Sequence, residues 1–255
     1  MNNKELTILS KRNIFFFIFC LYPWLLISGP FLSDLFAIIL SVYFIYEKFS
    51  RKSFNEFKTI YFFSFAIFCL YLFFNSVFIA KHFLSIQSSI FYVRFFLFSL
   101  AIVFLLEENE NRLRYFFYSV CLVIFVLFID SLFQKIFETN LVGIDMQHAI
   151  RVSSFFGNEL ILGSFTIKLL PIALAFLFFV KQNKTINFSI LLIFLSSVIV
   201  LLSAEKTALI MTMLLFVLFI LKIKLIAIYR LFLFITFASL ISLILFSSQS
   251  LNKRL

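Results

Sequence analysis

The sequence predicts an all-α, polytopic helical membrane protein, and three observations carry that expectation. Hydrophobic residues fill 63% of the 255 positions and charged residues 13%, where soluble domains have roughly 45–50% and about 25%. Polar groups cannot cover the surface of such a chain, so lipid must be its solvent. Apolar runs recur near the length that crosses a bilayer as helix, roughly 17–25 residues. Strict two-residue alternation is missing, which disfavours an outer-membrane barrel. Four glycines and three prolines exclude collagen, low-complexity disorder and a loop-rich sandwich. The 43 phenylalanines read as composition bias in lipid-facing segments rather than as a ligand box.

About nine spans follow, in one transmembrane domain over residues 1–255 with no linker and no tandem repeat. The first, residues 14–28, comes after Lys4, Lys11 and Arg12, the flank of a signal segment. No Ala-x-Ala-like site follows and the next run starts almost at once, so it reads as retained. Residues 31–46 form a short second span, and residues 60–80 the third. Residues 90–106 enclose Arg94, and residues 115–133 carry Asp130 near one end. Residues 160–180 hold Lys168 and Pro171, the latter expected to kink the helix. Residues 186–203 and 207–221 flank a turn containing Glu205 and Lys206, and residues 231–247 form the last span.

Basic residues in short loops set orientation. With the N-terminus in the cytoplasm, 14 of the 22 lysines and arginines fall inside and 6 outside, while Arg94 and Lys168 lie within spans. The C-terminus then emerges on the outer side. The net charge of +10 is therefore mainly a topology signal, and no nucleic acid is implied. Cys20, Cys69 and Cys121 share no short spacing and read as packing residues. His82 and His148 read as exposed loop residues. No phosphate loop, HExxH, GxSxG or CxxC motif is present.

Residues 134–159 stand out as the main outer loop, a long polar segment among short turns. It carries Gln134, Arg151, Gly157, Asn158 and Glu159, with Gly163 just beyond. Glycines gathered there, in a chain that otherwise avoids them, point to special backbone geometry or close approach. Arg94 lies about 6 Å into its span and Lys168 about 12 Å into its own. Charges at such depth face a bundle interior or an aqueous cavity. With Arg151 and Lys206 they form a candidate anion site, because a diphosphate needs several donors. Local readings stay open beside it: Arg94 snorkelling to the interface, Lys168 paired with Asp130 or Glu159, and Glu205 with Lys206 as a solvated turn.

The run Arg151, Val152, Ser153, Ser154, Phe155, Phe156, Gly157, Asn158, Glu159, reaching Gly163 and then Leu170–Pro171, resembles the central signature of the O-antigen ligase/O-antigen polymerase family. Asp130 to Gln134, followed by Asn140 and Gly143, is similar to that family's approach to the loop. Ser203-Ala-Glu-Lys206-Thr resembles its Ser-x-x-Arg-Thr turn, with Lys in place of Arg. The resemblance covers roughly residues 90–225. It implies a helical glycosyltransferase of GT-C type that moves a glycan from undecaprenyl diphosphate to an acceptor glycan or lipid A core, in contact with membrane lipid. It implies no nucleotide sugar, no metal and no other cofactor. By position Arg151 and Lys206 would hold the diphosphate, with Arg94 as a third contact; Lys168 is added from its burial. Family members continue into a further periplasmic loop bearing a functional His, so this chain is expected to be their N-terminal part, with that His beyond Leu255. A transporter or flippase for an anionic lipid-linked substrate would use the same cations without bond chemistry, and should show paired discontinuous helices in two related halves.

Overall fold

Long apolar runs broken by few glycines or prolines favour helix throughout, because a helix satisfies every backbone group within its own segment. The computed structural model describes residues 3–52, 59–106, 110–146, 151–179 and 185–222. Among these residues the structure is all-helical, with no strand beyond one isolated bridge between Thr139 and Asp145. The helices are α1 (Asn3–Ile27), α2 (Pro30–Arg51), α3 (Ile60–Asn75), α4 (Phe83–Phe91), α5 (Val93–Leu106), α6 (Glu110–Phe137), α7 (Leu162–Phe179), α8 (Thr185–Ser203) and α9 (Lys206–Lys222). Four stretches are long and apolar enough to cross a membrane: Pro30–Arg51, Ile60–Ala80, Phe83–Leu106 and Asn111–Phe137.

Eight of the nine expected spans fall on these helices, and the ninth, residues 231–247, lies outside the described residues. The helices overrun the apolar runs where charged residues are themselves good helix formers. Thus α2 continues through Glu47 and Lys48 to Arg51, and α6 begins at Glu110. The third span runs as α3 and then one π-helical segment, Ser76–Ala80, closed by Lys81 in the left-handed region. The fourth begins earlier than expected, at Phe83, and breaks at Tyr92 between α4 and α5. Pro30 opens α2 at a position where the missing N–H costs nothing.

The chain divides into two compact units, Met1–Phe116 and Phe117–Leu255, at a boundary inside α6 and not at a linker. Unit 1 is built on α1, α2 and α5, whose core gathers Phe16, Phe19, Leu40, Phe44, Phe104 and Leu105. Its outer surface is apolar as well. No residue of α3 is buried, and Tyr61, Ile67 and Leu70 are 78%, 67% and 56% exposed. Such a surface is stable only where the solvent is itself apolar. Phe104 serves as a shelf for charge: the Arg12 guanidinium lies 4.1 Å from its centroid and Lys48 Nζ 5.1 Å. Arg12 also donates to the Phe104 carbonyl, and Arg112 to the Leu105 carbonyl (3.0 Å) and Asn13 Oδ1 (2.7 Å).

In unit 2, α7 packs on both α8 and α9. The buried surfaces mix aliphatic residues such as Leu162, Leu170 and Ile199 with Gly163, Ala208, Ser196, Ser197 and Thr212. Small residues let helix backbones approach closely where lipid removes the hydrophobic incentive to associate. Two of the hydroxyls are met inside their own helices, Ser197 on the Ile193 carbonyl at 2.6 Å and Thr212 on that of Ala208 at 2.7 Å, while the buried Ser196 hydroxyl has no partner among the described residues.

Phe104→Ala is expected to lower the stability of the detergent-solubilised protein by about 3–5 kcal/mol. The lipid-facing Ile67→Ala should stay within about 0.5 kcal/mol of wild type. Thermal unfolding of both variants beside wild type checks the difference.

Candidate functional site

The segment between α6 and α7 is described over residues 138–146 and 151–161, and its irregular backbone must find acceptors for its N–H groups. Gln134, expected in the loop, lies inside α6, because helix-favouring side chains carry that helix one turn further, to Phe137. From there the fully buried Gln134 reaches the loop: Oε1 accepts from Ser153 N (3.2 Å) and Ser154 N (2.6 Å). Asp130, one turn earlier and also fully buried, accepts from Leu141 N (2.8 Å) and from the Ser154 hydroxyl. Asn140 Oδ1 takes Val142 N (3.1 Å) and Ile144 N (2.7 Å), while its Nδ2 donates to Ser154 O (3.1 Å). Ser154 sits at φ +54°, a strained value for a non-glycine residue, with its N, O and Oγ each anchored by one of these three side chains.

Anchored in this way, the segment delivers Arg151 and Val152 to the end of α8. Val152 N donates to Leu202 O and Arg151 Nε to Ser203 O, both at 3.1 Å. Those carbonyls belong to the last turn of α8, where they lack partners within the helix and the dipole favours a cation. Lys206 follows three residues later as the exposed first residue of α9. Between Ser203 and Lys206, Glu205 is buried and forms no ion pair with either cation. Its carboxylate accepts from Gly163 N (2.7 Å), Ser164 N (3.0 Å) and the Ser164 hydroxyl, capping the start of α7. The helix dipole favours the negative charge there. Gly163 is required by close approach, since a Cβ would run into the Ser203 hydroxyl and press on Ala208 at 3.0 Å. Gly157, at φ +59° and ψ −115°, takes a backbone conformation open only to glycine. Asn158 and Glu159 are exposed beside it, with Glu159 N on Phe156 O (3.0 Å).

Lys168 is exposed on α7 and lines an apolar groove of about 400 Å³ between α7 and α9, together with Ser164, Pro171, Thr207 and Met211. It forms no ion pair with Asp130 or Glu159. Pro171 lies within a helix that runs on to Phe179. Arg151, Lys168 and Lys206 thus belong to unit 2, around the start of α7 and the α8–α9 turn, and none pairs with a carboxylate among the described residues. Arg94 belongs to unit 1, where it is paired with Asp34 at 2.8 Å and lies 4.8 Å from the Phe95 centroid. No described group of three or more His, Cys, Asp or Glu side chains has the arrangement of a metal site. His82 opens α4 as its N-cap, its carbonyl accepting from Ser85 N and Ile86 N; His148 lies outside the described residues.

Asn140, Ser154 and the capping role of Glu205 were not expected from the sequence. Asn140 carries a local signal, an Asn at the first position of a turn whose fourth residue is Gly143. Glu205 carries none, because its partners lie 41 and 42 residues away. No protein-family model, curated protein or solved structure matches the chain.

Gly163→Ala is expected to cost about 1–3 kcal/mol through overpacking against the α8–α9 turn, read as a lowered melting temperature. Gln134→Ala strands two buried N–H groups and should speed limited proteolysis between residues 138 and 161, while cleavage elsewhere keeps its wild-type rate.

Proposed function

We propose that this protein acts in the bacterial inner membrane on a glycan carried by undecaprenyl diphosphate, transferring it to an acceptor glycan or to lipid A core. The observation that supports this most is the pairing at the α8–α9 turn: Arg151 held on Ser203 O, beside Lys206, with the neighbouring Glu205 taken up elsewhere. Only one of the five guanidinium N–H donors is used on the helix. The remaining fork is of the kind that grips phosphate oxygens in two places.

In this reading Arg151 and Lys206 hold the diphosphate and Lys168 meets it, or its lipid, from the groove. Arg94 has its own carboxylate and is not assigned to the diphosphate. The acceptor hydroxyl attacks the anomeric carbon, a new C–O bond forms, and the bond to the diphosphate oxygen breaks. The cations stabilise charge gathering on the leaving diphosphate. A base must take the hydroxyl proton, and neither Asp130 nor Glu205 is offered for that role, since both are buried and engaged by N–H and hydroxyl donors. The N-terminus in the cytoplasm, with the α6–α7 segment in the periplasm, agrees with the distribution of basic residues.

Arg151→Ala should lower glycan transfer from undecaprenyl diphosphate on the order of 10²-fold, with Arg151→Lys intermediate and the amount of protein in the membrane unchanged. Product formed at the wild-type rate by Arg151→Ala would sink the reading. Loss of transbilayer movement of the lipid-linked glycan, with bond formation intact, would make the protein a carrier instead.

A further inference from the structure

Glu205 immediately precedes Lys206 and lies two residues after Ser203, whose carbonyl Arg151 bonds, yet its carboxylate is bonded to neither cation. An acid beside Lys206 and within reach of the Arg151 region would ordinarily neutralise one of them. Here three donors from the first residues of α7 hold its carboxylate, and it is 6% exposed. The same carboxylate fastens the α8–α9 turn to α7, because Gly163 is close enough for a Cβ to strike Ser203. Ser203 in turn presents the carbonyl that Arg151 bonds, and its hydroxyl accepts from Glu205 N at 3.4 Å. The chain of contacts therefore runs from the start of α7 through Glu205 and Ser203 to Arg151.

We propose that Glu205 is a positioning residue for the cation site, which sets the Ser203 carbonyl where Arg151 docks and keeps its own charge away from Arg151 and Lys206. Its relevance to binding rests on the diphosphate reading above, while its effect on Arg151 does not. Glu205 touches no reacting atom and is not a catalytic residue. What it controls is where the guanidinium sits and how much positive charge the site presents. A second acid free to swing toward Lys206 would compete with any anionic ligand, and capture by helix N–H groups removes that competition.

The variants Glu205→Ala and Glu205→Gln separate this role from simple charge. Gln keeps one carbonyl oxygen for Gly163 N and can donate to the Ser164 hydroxyl but cannot accept from Ser164 N, so it retains two of the three contacts; Ala retains none. In purified protein, binding of undecaprenyl diphosphate should weaken by at least about tenfold in Glu205→Ala and by much less in Glu205→Gln. Equal or tighter binding in both variants would overturn the proposal, because removal of a competing negative charge would act so. A ligand-free readout accompanies it: reaction of Arg151 with phenylglyoxal, followed by mass spectrometry, should quicken in Glu205→Ala and stay near wild type in Glu205→Gln. Unchanged reactivity in Glu205→Ala would overturn the proposal whatever the ligand is. Arg151→Ala run in parallel keeps the two ideas apart. Wild-type affinity in that variant defeats the diphosphate reading alone, while lost affinity there with normal Glu205 variants defeats the positioning role alone.

Discussion

Everything around the α6–α7 segment depends on one constraint: an irregular backbone among apolar helices must have its N–H groups met by the protein itself. Four side chains do this as acceptors, and of these only Asn140 is local to the N–H groups it serves. Asp130 and Gln134 reach from the last turns of α6, Asn140 folds the turn after it, and Glu205 crosses from the α8–α9 turn. Each removes a cost of about 1–3 kcal/mol for every buried donor otherwise stranded. The strained φ of Ser154 persists because Asp130, Gln134 and Asn140 all hold that residue at once.

That arrangement has an electrostatic consequence. Two buried acids of unit 2, Asp130 and Glu205, spend their oxygens on N–H and O–H donors and none on cations. Arg151, Lys168 and Lys206 are left without a carboxylate among the described residues. Unit 1 handles charge in the opposite way. Arg94 is paired with Asp34, Arg51 with Glu47 at 3.0 Å, and Arg12 and Lys48 lie over the Phe104 ring. Pairing or covering a cation satisfies it, which suits a structural role, whereas uncommitted donors suit a ligand.

The helical class was legible in the sequence because it rests on apolar length, which lipid imposes segment by segment; eight of the nine expected apolar runs fall on helices, and four stretches among the described residues are long and apolar enough to cross a membrane. Helix ends were less so: Glu47, Lys48 and Gln134 are polar yet helical, and polarity had marked them as span edges or loop. Of the glycines that drew attention to the loop, Gly157 is set apart by its backbone angles, and Gly163, just beyond it in α7, by the approach of Ser203. Partnerships were not legible. Arg94 with Asp34, and Glu205 with Gly163 and Ser164, join residues tens of positions apart, and no spacing rule connects them. Arg94 and Lys168 looked alike as charges within spans, yet one is paired and the other lines a groove.

The lysine at position 206 follows from the same geometry. An arginine held by Nε on a carbonyl, as Arg151 is, has its fork fixed in one direction. A second fixed fork beside it would have to match the ligand independently, whereas an exposed ammonium on the first turn of α9 can swing to wherever charge remains. The cation sits at the positive end of its own helix, where the dipole disfavours it by roughly 0.3–1 kcal/mol. Under the proposed diphosphate reading, an anion at Lys206 would relieve that repulsion. Glu205, one residue before, escapes serving as that anion only because the start of α7 holds it with three donors.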